Sequence, residues 1–326
     1  LKENVKGGNE GEKTKRDKAK KLKKRKPEEE KTRRGENMSK LQLYAKVVRL
    51  FLGKKIVTDA DIGKSYNLVC NTYSQTFLSA MHQYNDEMIL ELSKHLDQRG
   101  ILNVLDLAAG TGYNSLAIRK LFPTANLTLV DISTGMLSIA RKNLRENASF
   151  ETDDMLQYLE NCADLMFDLI VCGWAIKYRP PLQIIRQCRR VLKPGGTIAV
   201  IVNTKNTLPQ VACIYPQLLA KHTDKISKLM LQLPNPKDLK DFDNWFLQNS
   251  FSVIRSKEGF HDFNFRTSQE LAEFVVSTGA LAGFDVMLDL RNPDVQADMV
   301  RLFQEHHLTK ATHRYVYGIY KKKAAI

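Results

Sequence analysis

No apolar run in this 326-residue chain approaches the roughly 20 residues that a membrane-crossing helix requires, so no spanning helix and no membrane partner are expected. The five cysteines, at positions 70, 162, 172, 188 and 213, are scattered and form no C-x-x-C pair. Their odd number argues against a disulfide framework, and reduced thiols are expected. No set of His, Cys, Asp and Glu has the spacing of a metal site, so metal-assisted chemistry is not expected. An early charged segment followed by an apolar one is also missing, and the expected location is cytoplasmic. There is no internal repeat.

Charge is abundant and uneven. The formal net charge is +14, yet residues 1–37 alone hold 15 Lys and Arg against 8 Asp and Glu. After Val5 this stretch has almost no apolar residue, so it cannot bury a core, and a basic disordered tail is expected. A nucleic-acid arm and a solvated linker are both open readings of it. Met38 begins the apolar-periodic sequence.

From Met38 onward the pattern first reads as helices, over 39–56, 62–80 and 85–98. These make residues 38–100 an N-terminal helical lid. Beyond 101 the period changes to alternating strands and helices. Strands are expected at 103–107, 127–131, 148–151, 167–173, 196–203, 283–289 and 314–321. Helices are expected at 113–121, 134–146, 155–161, 179–192 and 268–279. Such alternation implies a parallel sheet with right-handed crossovers. Residues 204–265, with Pro209, Pro216, Pro234 and Pro236 and a helical-looking 217–232, read as an insertion after the fifth strand.

The densest signal is Asn103-Val-Leu-Asp-Leu-Ala-Ala-Gly-Thr-Gly-Tyr-Asn-Ser. A short buried strand enters a turn at Gly110 and Gly112, and a helix follows. That unit suits a nucleotide-like cofactor. Asp106 sits on the strand end and Asp131 ends the next apolar strand. A carboxylate beside the turn disfavours a diphosphate, whereas a cofactor with an amino group and a sulfonium accepts it. Ser115 also stands where a dinucleotide fingerprint has its third glycine. The turn therefore fits S-adenosylmethionine better than NAD. Asp131 is placed to accept both ribose hydroxyls. Ser133 can itself cap the following helix.

Four segments in this order resemble the class I S-adenosylmethionine-dependent methyltransferases, small-molecule type. They are the glycine turn, Val130-Asp-Ile-Ser133, Phe167-Asp-Leu-Ile-Val-Cys-Gly-Trp-Ala175, and Arg190-Val-Leu-Lys-Pro-Gly-Gly-Thr197. The similarity covers roughly residues 60–322. It implies a Rossmann-like α/β fold: a seven-stranded, mostly parallel sheet with helices on both faces and an antiparallel last strand near 313–320. It also implies roles. Asp106 would face the methionine end of the cofactor. Asp154 would take the adenine amine, with Met155 against the ring. Tyr73, in a lid helix, would reach the methionyl carboxylate. Ala108, Gly110, Gly112, Ile132, Cys172 and Gly173 complete the cofactor set.

For the acceptor, Trp174, Tyr178, Trp245 and Phe263 are the expected pocket residues. The insertion's aromatics, Phe242, Trp245, Phe246, Phe251, Phe260, Phe263 and Phe265, would form an apolar roof. The Asn/Asp-Pro-Pro-aromatic motif of family members that methylate amide or exocyclic nitrogens is absent after the fourth strand. A small-molecule or carrier-bound acceptor, methylated on oxygen, is therefore the first expectation. An RNA methyltransferase using the basic tail, and a non-catalytic scaffold of the same fold, are the alternatives. If a general base is needed, His82, His222, His261 and His313 are available, with His222 and His261 foremost.

Overall fold

The computed structural model describes residues 38–58, 61, 79–96, 102–144, 146–230, 233–277 and 284–324. Tyr73, most of the expected 62–80 helix and the basic tail lie outside the described residues. Two helices come first, α1 at 38–52 and α2 at 79–93. The alternating core follows with β1 (Asn103–Leu107), α3 (Tyr113–Leu121), β2 (Asn126–Asp131), α4 (Thr134–Asn143), β3 (Ala148–Thr152), α5 (Met155–Asn161) and β4 (Phe167–Gly173). Next are α6 (Pro181–Val191), β5 (Leu192–Asn203), α7 (Pro209–Lys221), α8 (Leu239–Leu247) and β6 (Phe251–Asn264). The chain closes with α9 (Ser268–Ser277), α10 (Phe284–Met287), α11 (Pro293–Glu305) and β7 (Lys310–Lys322).

The strands form one seven-stranded sheet in the order β3-β2-β1-β4-β5-β7-β6. β7 runs antiparallel to both of its neighbours, and the other pairings are parallel. Successive side chains of a strand point to opposite faces, and the core divides accordingly. Val104, Leu129, Leu169, Val171, Ala199 and Ile201 pack with α2, α3, α4, α7, α9 and α11. Leu105, Leu107, Ile170, Cys172, Ile198 and Val200 pack with α5, α6 and α8. Helices on both faces explain why the central strands read as continuous apolar runs.

Three expectations change. The sixth strand is β6, inside the stretch read as an insertion, and not 283–289. Residues Phe284–Met287 instead form a single helical turn whose Met287 is buried against α1. The stretch 204–265 is therefore no single insertion, because its second half is α8 and an edge strand of the sheet. The helix expected at 217–232 lies earlier, at Pro209–Lys221.

The expected aromatic roof is core as well. Phe242, Phe246 and Phe251 are fully buried, and Tyr320 stacks on Phe246 with ring centroids 3.7 Å apart. Phe263 and Phe265 pack on Phe274 of α9. Phe260 alone among the seven is exposed.

Candidate functional site

A cleft opens at the carboxyl ends of β1, β2, β3 and β4. It encloses about 1020 Å³ between protein atoms, its solvent-open mouth included. Its floor is the glycine turn, Ala108 to Thr111. One side is Val130 to Ile132 with Met136. The far end is Asp153 to Met155, and the opposite wall is Gly173 to Ala175 with Tyr178 and Arg179. α2 closes the cleft through His82 and Asn85, which face Tyr113 and Asn114 of α3.

Local backbone geometry makes the floor. Gly110 and Gly112 have φ of 55° and 79°. A Cβ on Gly112 would lie 3.1–3.3 Å from Ala140, Leu144 and Leu129, so this glycine lets α3 sit close to α4 and β2. Gly112 and the buried Cys172 do not line the cleft; both support it from behind. Ala108 and Trp174 are left-handed at φ 53° and 64° without being glycine, and both line the cleft. Backbone strain of this kind collects at functional sites.

Asp131 is the ordered acid of the cleft. Its Oδ2 accepts the Gly110 N–H at 2.8 Å and its Oδ1 accepts the Ser133 N–H at 2.8 Å. Ser133 caps α4 by accepting the Met136 N–H, so Asp131 is not needed for capping. Burial raises the Asp131 carboxyl above its ordinary range, against those two hydrogen bonds. Asp106 lies beneath the turn rather than in the lining. Ser115 Oγ donates to its Oδ2 at 2.7 Å, while Oδ1 is buried with no hydrogen-bond partner among the described residues. Burial, with some help from the Asp131 charge, pushes its carboxyl up to about 7.

Asp154 lines the cleft, but its carboxylate is engaged. Oδ1 accepts from the Leu156 and Gln157 N–H groups at the start of α5, and Oδ2 pairs with Arg179 at 2.6 Å. Its neighbour Asp153 also lines the cleft and accepts the Asp154 N–H through Oδ1.

The wall across from Asp131 is held by an amide relay. Trp174 Nε1 donates to Asn85 Oδ1 at 2.9 Å, and Asn85 Nδ2 donates to Asn114 Oδ1 at 2.7 Å. Asn85 is buried at an otherwise apolar position of α2, in the series Met81, Asn85, Met88, Leu92. The sequence reading did not single out Asn85 or Asn114. A buried amide in an apolar helical stripe was the available signal.

The remaining expected residues divide. Ala108, Ile132, Met155, Gly173, Trp174 and Tyr178 line the cleft. Trp245 does not; it packs on Phe242 beside α6. Phe263 does not line it either. His222 is buried against Asp298 of α11, with Nε2 to Oδ2 at 2.9 Å, and His261 contacts the Tyr84 hydroxyl at 2.9 Å. Neither reaches the cleft. His82 does, with its ring stacked on Tyr113 at 3.4 Å between centroids. Burial lowers its pKa, opposed by the Asp86 charge.

A family model described as "Methyltransferase domain" matches residues 104–196, the segment that builds most of this cleft. With the sheet order and the cleft geometry, this match supports a class I S-adenosylmethionine-dependent methyltransferase. It is 28% identical over 222 residues to a demethylmenaquinone methyltransferase of Chlamydia pneumoniae, covering 61% of this chain and 91% of that protein. It is 23% identical over 229 residues to a malonyl-acyl-carrier-protein O-methyltransferase of Brevibacillus brevis, covering 69% and 80%. Among solved structures, the 4+2 cyclase SpnF superposes with a TM-score of 0.51 at 16% identity over 83% of this chain and 98% of that one. At that identity the superposition speaks for the methyltransferase fold alone.

Proposed function

We propose that this methyltransferase binds S-adenosylmethionine in the cleft and transfers its methyl group to a small-molecule or carrier-bound acceptor, with oxygen the first choice of methylated atom. The observation that carries the reading is Asp131: a buried carboxylate at the tip of β2, held by two backbone N–H groups, with its remaining lone pairs available to ribose hydroxyls. The cofactor fits the acids present. Asp106, beneath the turn with its Oδ1 unpartnered among the described residues, would favour the cationic methionine end through its charge rather than by lining the cleft. Asp153 is better placed than Asp154 for the adenine amine, because Asp154 is committed to its helix and to Arg179. Met155 would lie against the ring, and Gly173 would let the β4 end approach the transferred methyl. Two relatives are named for a demethylmenaquinone and for a carrier protein's malonyl group, which supports an acceptor of this class, while others are named for ribosomal RNA, so the choice rests on the cleft.

The bound cofactor supplies a carbon already activated by its sulfonium. The chain's own work is alignment and exclusion of water. Trp174 and Tyr178 form an apolar wall, and α2 closes over it. His82 is the described histidine that faces the cleft. Burial keeps it neutral near pH 7 and so able to take a proton from an acceptor hydroxyl. Calorimetry with S-adenosylmethionine, its demethylated product and NAD tests the reading. One-to-one binding of the first two is expected; binding of NAD without either of them overturns it.

A further inference from the structure

α1 has two apolar faces, and the described structure uses only one of them. Leu43, Val47 and Leu50 pack inward on Ile226, Leu229 and Met287. On the outer face Met38, Leu41, Tyr44, Val48, Phe51 and Leu52 are exposed, with Leu41 at 68%, Tyr44 at 69% and Leu52 at 76%. Isolated exposed apolar residues are ordinary, but a contiguous set marks an interaction surface. Six of the fifteen large apolar residues that are exposed among the described residues lie on this one helix. At about 100° per residue they fill one continuous stripe.

The charge around the stripe is of one sign. Residues 38–58 carry Lys40, Lys46, Arg49, Lys54 and Lys55 and no Asp or Glu. Helical spacing puts Lys40 along one border of the stripe and Arg49 along the other, and Lys54 and Lys55 close its end, all exposed. A helix with an apolar stripe, an aromatic residue within it and cations along its borders is built to lie in the plane of a lipid interface. We infer that α1 docks the protein peripherally on an anionic membrane surface. The stripe would enter the headgroup boundary and the cations would pair with lipid phosphates. No helix of the described residues is long and apolar enough to cross a membrane, so the contact would be surface attachment. A second copy of the chain is the poorer occupant, since it would set five cations against five. Nucleic acid is poorer still, because the centre of the face is greasy rather than basic.

The test uses the full chain and sedimentation with vesicles of equimolar phosphatidylglycerol and phosphatidylcholine, or of phosphatidylcholine alone. The parent should sediment with the anionic vesicles and much less with the neutral ones. A Leu41→Ser/Phe51→Ser variant keeps every charge, including those of residues 1–37. It should partition at least about tenfold less, given the apolar surface removed from the interface. Its melting temperature and cofactor binding should be unchanged, because neither side chain is packed. Equal partitioning of variant and parent would mean that basic charge alone holds the protein and would overturn the inference. So would failure to bind anionic vesicles, or a parent dimer in solution that the variant loses. None of these outcomes bears on the cofactor cleft, whose binding is measured separately.

Discussion

Asp131 accepts the backbone N–H of Gly110, 21 residues earlier in the chain, at 2.8 Å. One carboxylate thus fixes the glycine turn after β1 and presents its free lone pairs to the cleft at the end of β2. Replacing Asp131 with Ala removes the ribose acceptor and leaves the Gly110 N–H without its partner. Cofactor binding should weaken by about 1.5–3 kcal/mol, the scale for a hydrogen bond to a charged group. That corresponds to roughly ten- to a hundredfold in dissociation constant by calorimetry. A folded variant with unchanged affinity would limit Asp131 to shaping the turn.

Gly173 should tolerate no side chain. A Cβ there would lie 2.7 Å from Asn114 Nδ2, an atom tied into the Trp174–Asn85–Asn114 relay. Gly173→Ala should destabilise the fold by about 1–3 kcal/mol through forced displacement in a packed site. It should also weaken cofactor binding, because the relay sets the cleft wall. Thermal melting and calorimetry read the two effects separately. An unchanged melting temperature would mean that Asn114 moves aside freely.

Much of this was legible in the sequence because the signals are local. The strand, glycine turn, helix and Asp131 lie within 29 consecutive residues, and β1, β2 and β4 are apolar enough to announce themselves. β6 was hidden because it is an edge strand. Arg255, Lys257, Glu258 and Asp262 blur its alternation, as charges on an exposed edge do. The run Phe284-Asp-Val-Met-Leu-Asp-Leu290 imitated a strand, but it is a helical turn and loop whose Met287, Leu288 and Leu290 are buried against helices. The cleft's α2 wall was missed because Asn85 counts as polar in any periodicity, although its amide is the hinge of the relay. The aromatic roof failed for a related reason: aromatics cluster in cores as readily as in pockets, and only tertiary placement separates the two.

Asp106 should make cofactor binding depend on pH. Burial holds its folded carboxyl at about 7, well above its unfolded value. Between those two values the folded state holds a proton that the unfolded state lacks. The associated stability is full below the unfolded value and is lost as pH rises through about 7. A cationic ligand beside Asp106 favours the ionised form. Affinity for S-adenosylmethionine should therefore strengthen as pH rises through neutrality, with proton release detectable by calorimetry in buffers of different ionisation enthalpy. Asp106→Asn should flatten both dependences and weaken binding. Parent affinity that stays constant from pH 5.5 to 8.5 would remove Asp106 from the cofactor's surroundings.

His82 and His222 should behave oppositely when replaced. His82 lines the cleft against Tyr113, and its Nε2 is buried without a hydrogen-bond partner among the described residues. His222 lies outside the cleft and joins α7 to α11 through Asp298, which Lys221 also contacts. His82→Gln should leave cofactor affinity within about twofold and lower kcat by roughly a hundredfold or more if the acceptor is a hydroxyl of ordinary acidity. The acidic limb of the kcat profile should disappear with it. His222→Gln should lower the melting temperature, because a buried ring that joins α7 to α11 is lost while Asp298 keeps Lys221 and Arg301, and should leave kcat near the parent value. If the acceptor is already acidic, as a carboxylic acid or an activated phenol is, no base is required. His82→Gln would then retain kcat, and the pH profile would follow the acceptor's own pKa. The same pair of variants therefore tests the base and sorts acceptors by acidity.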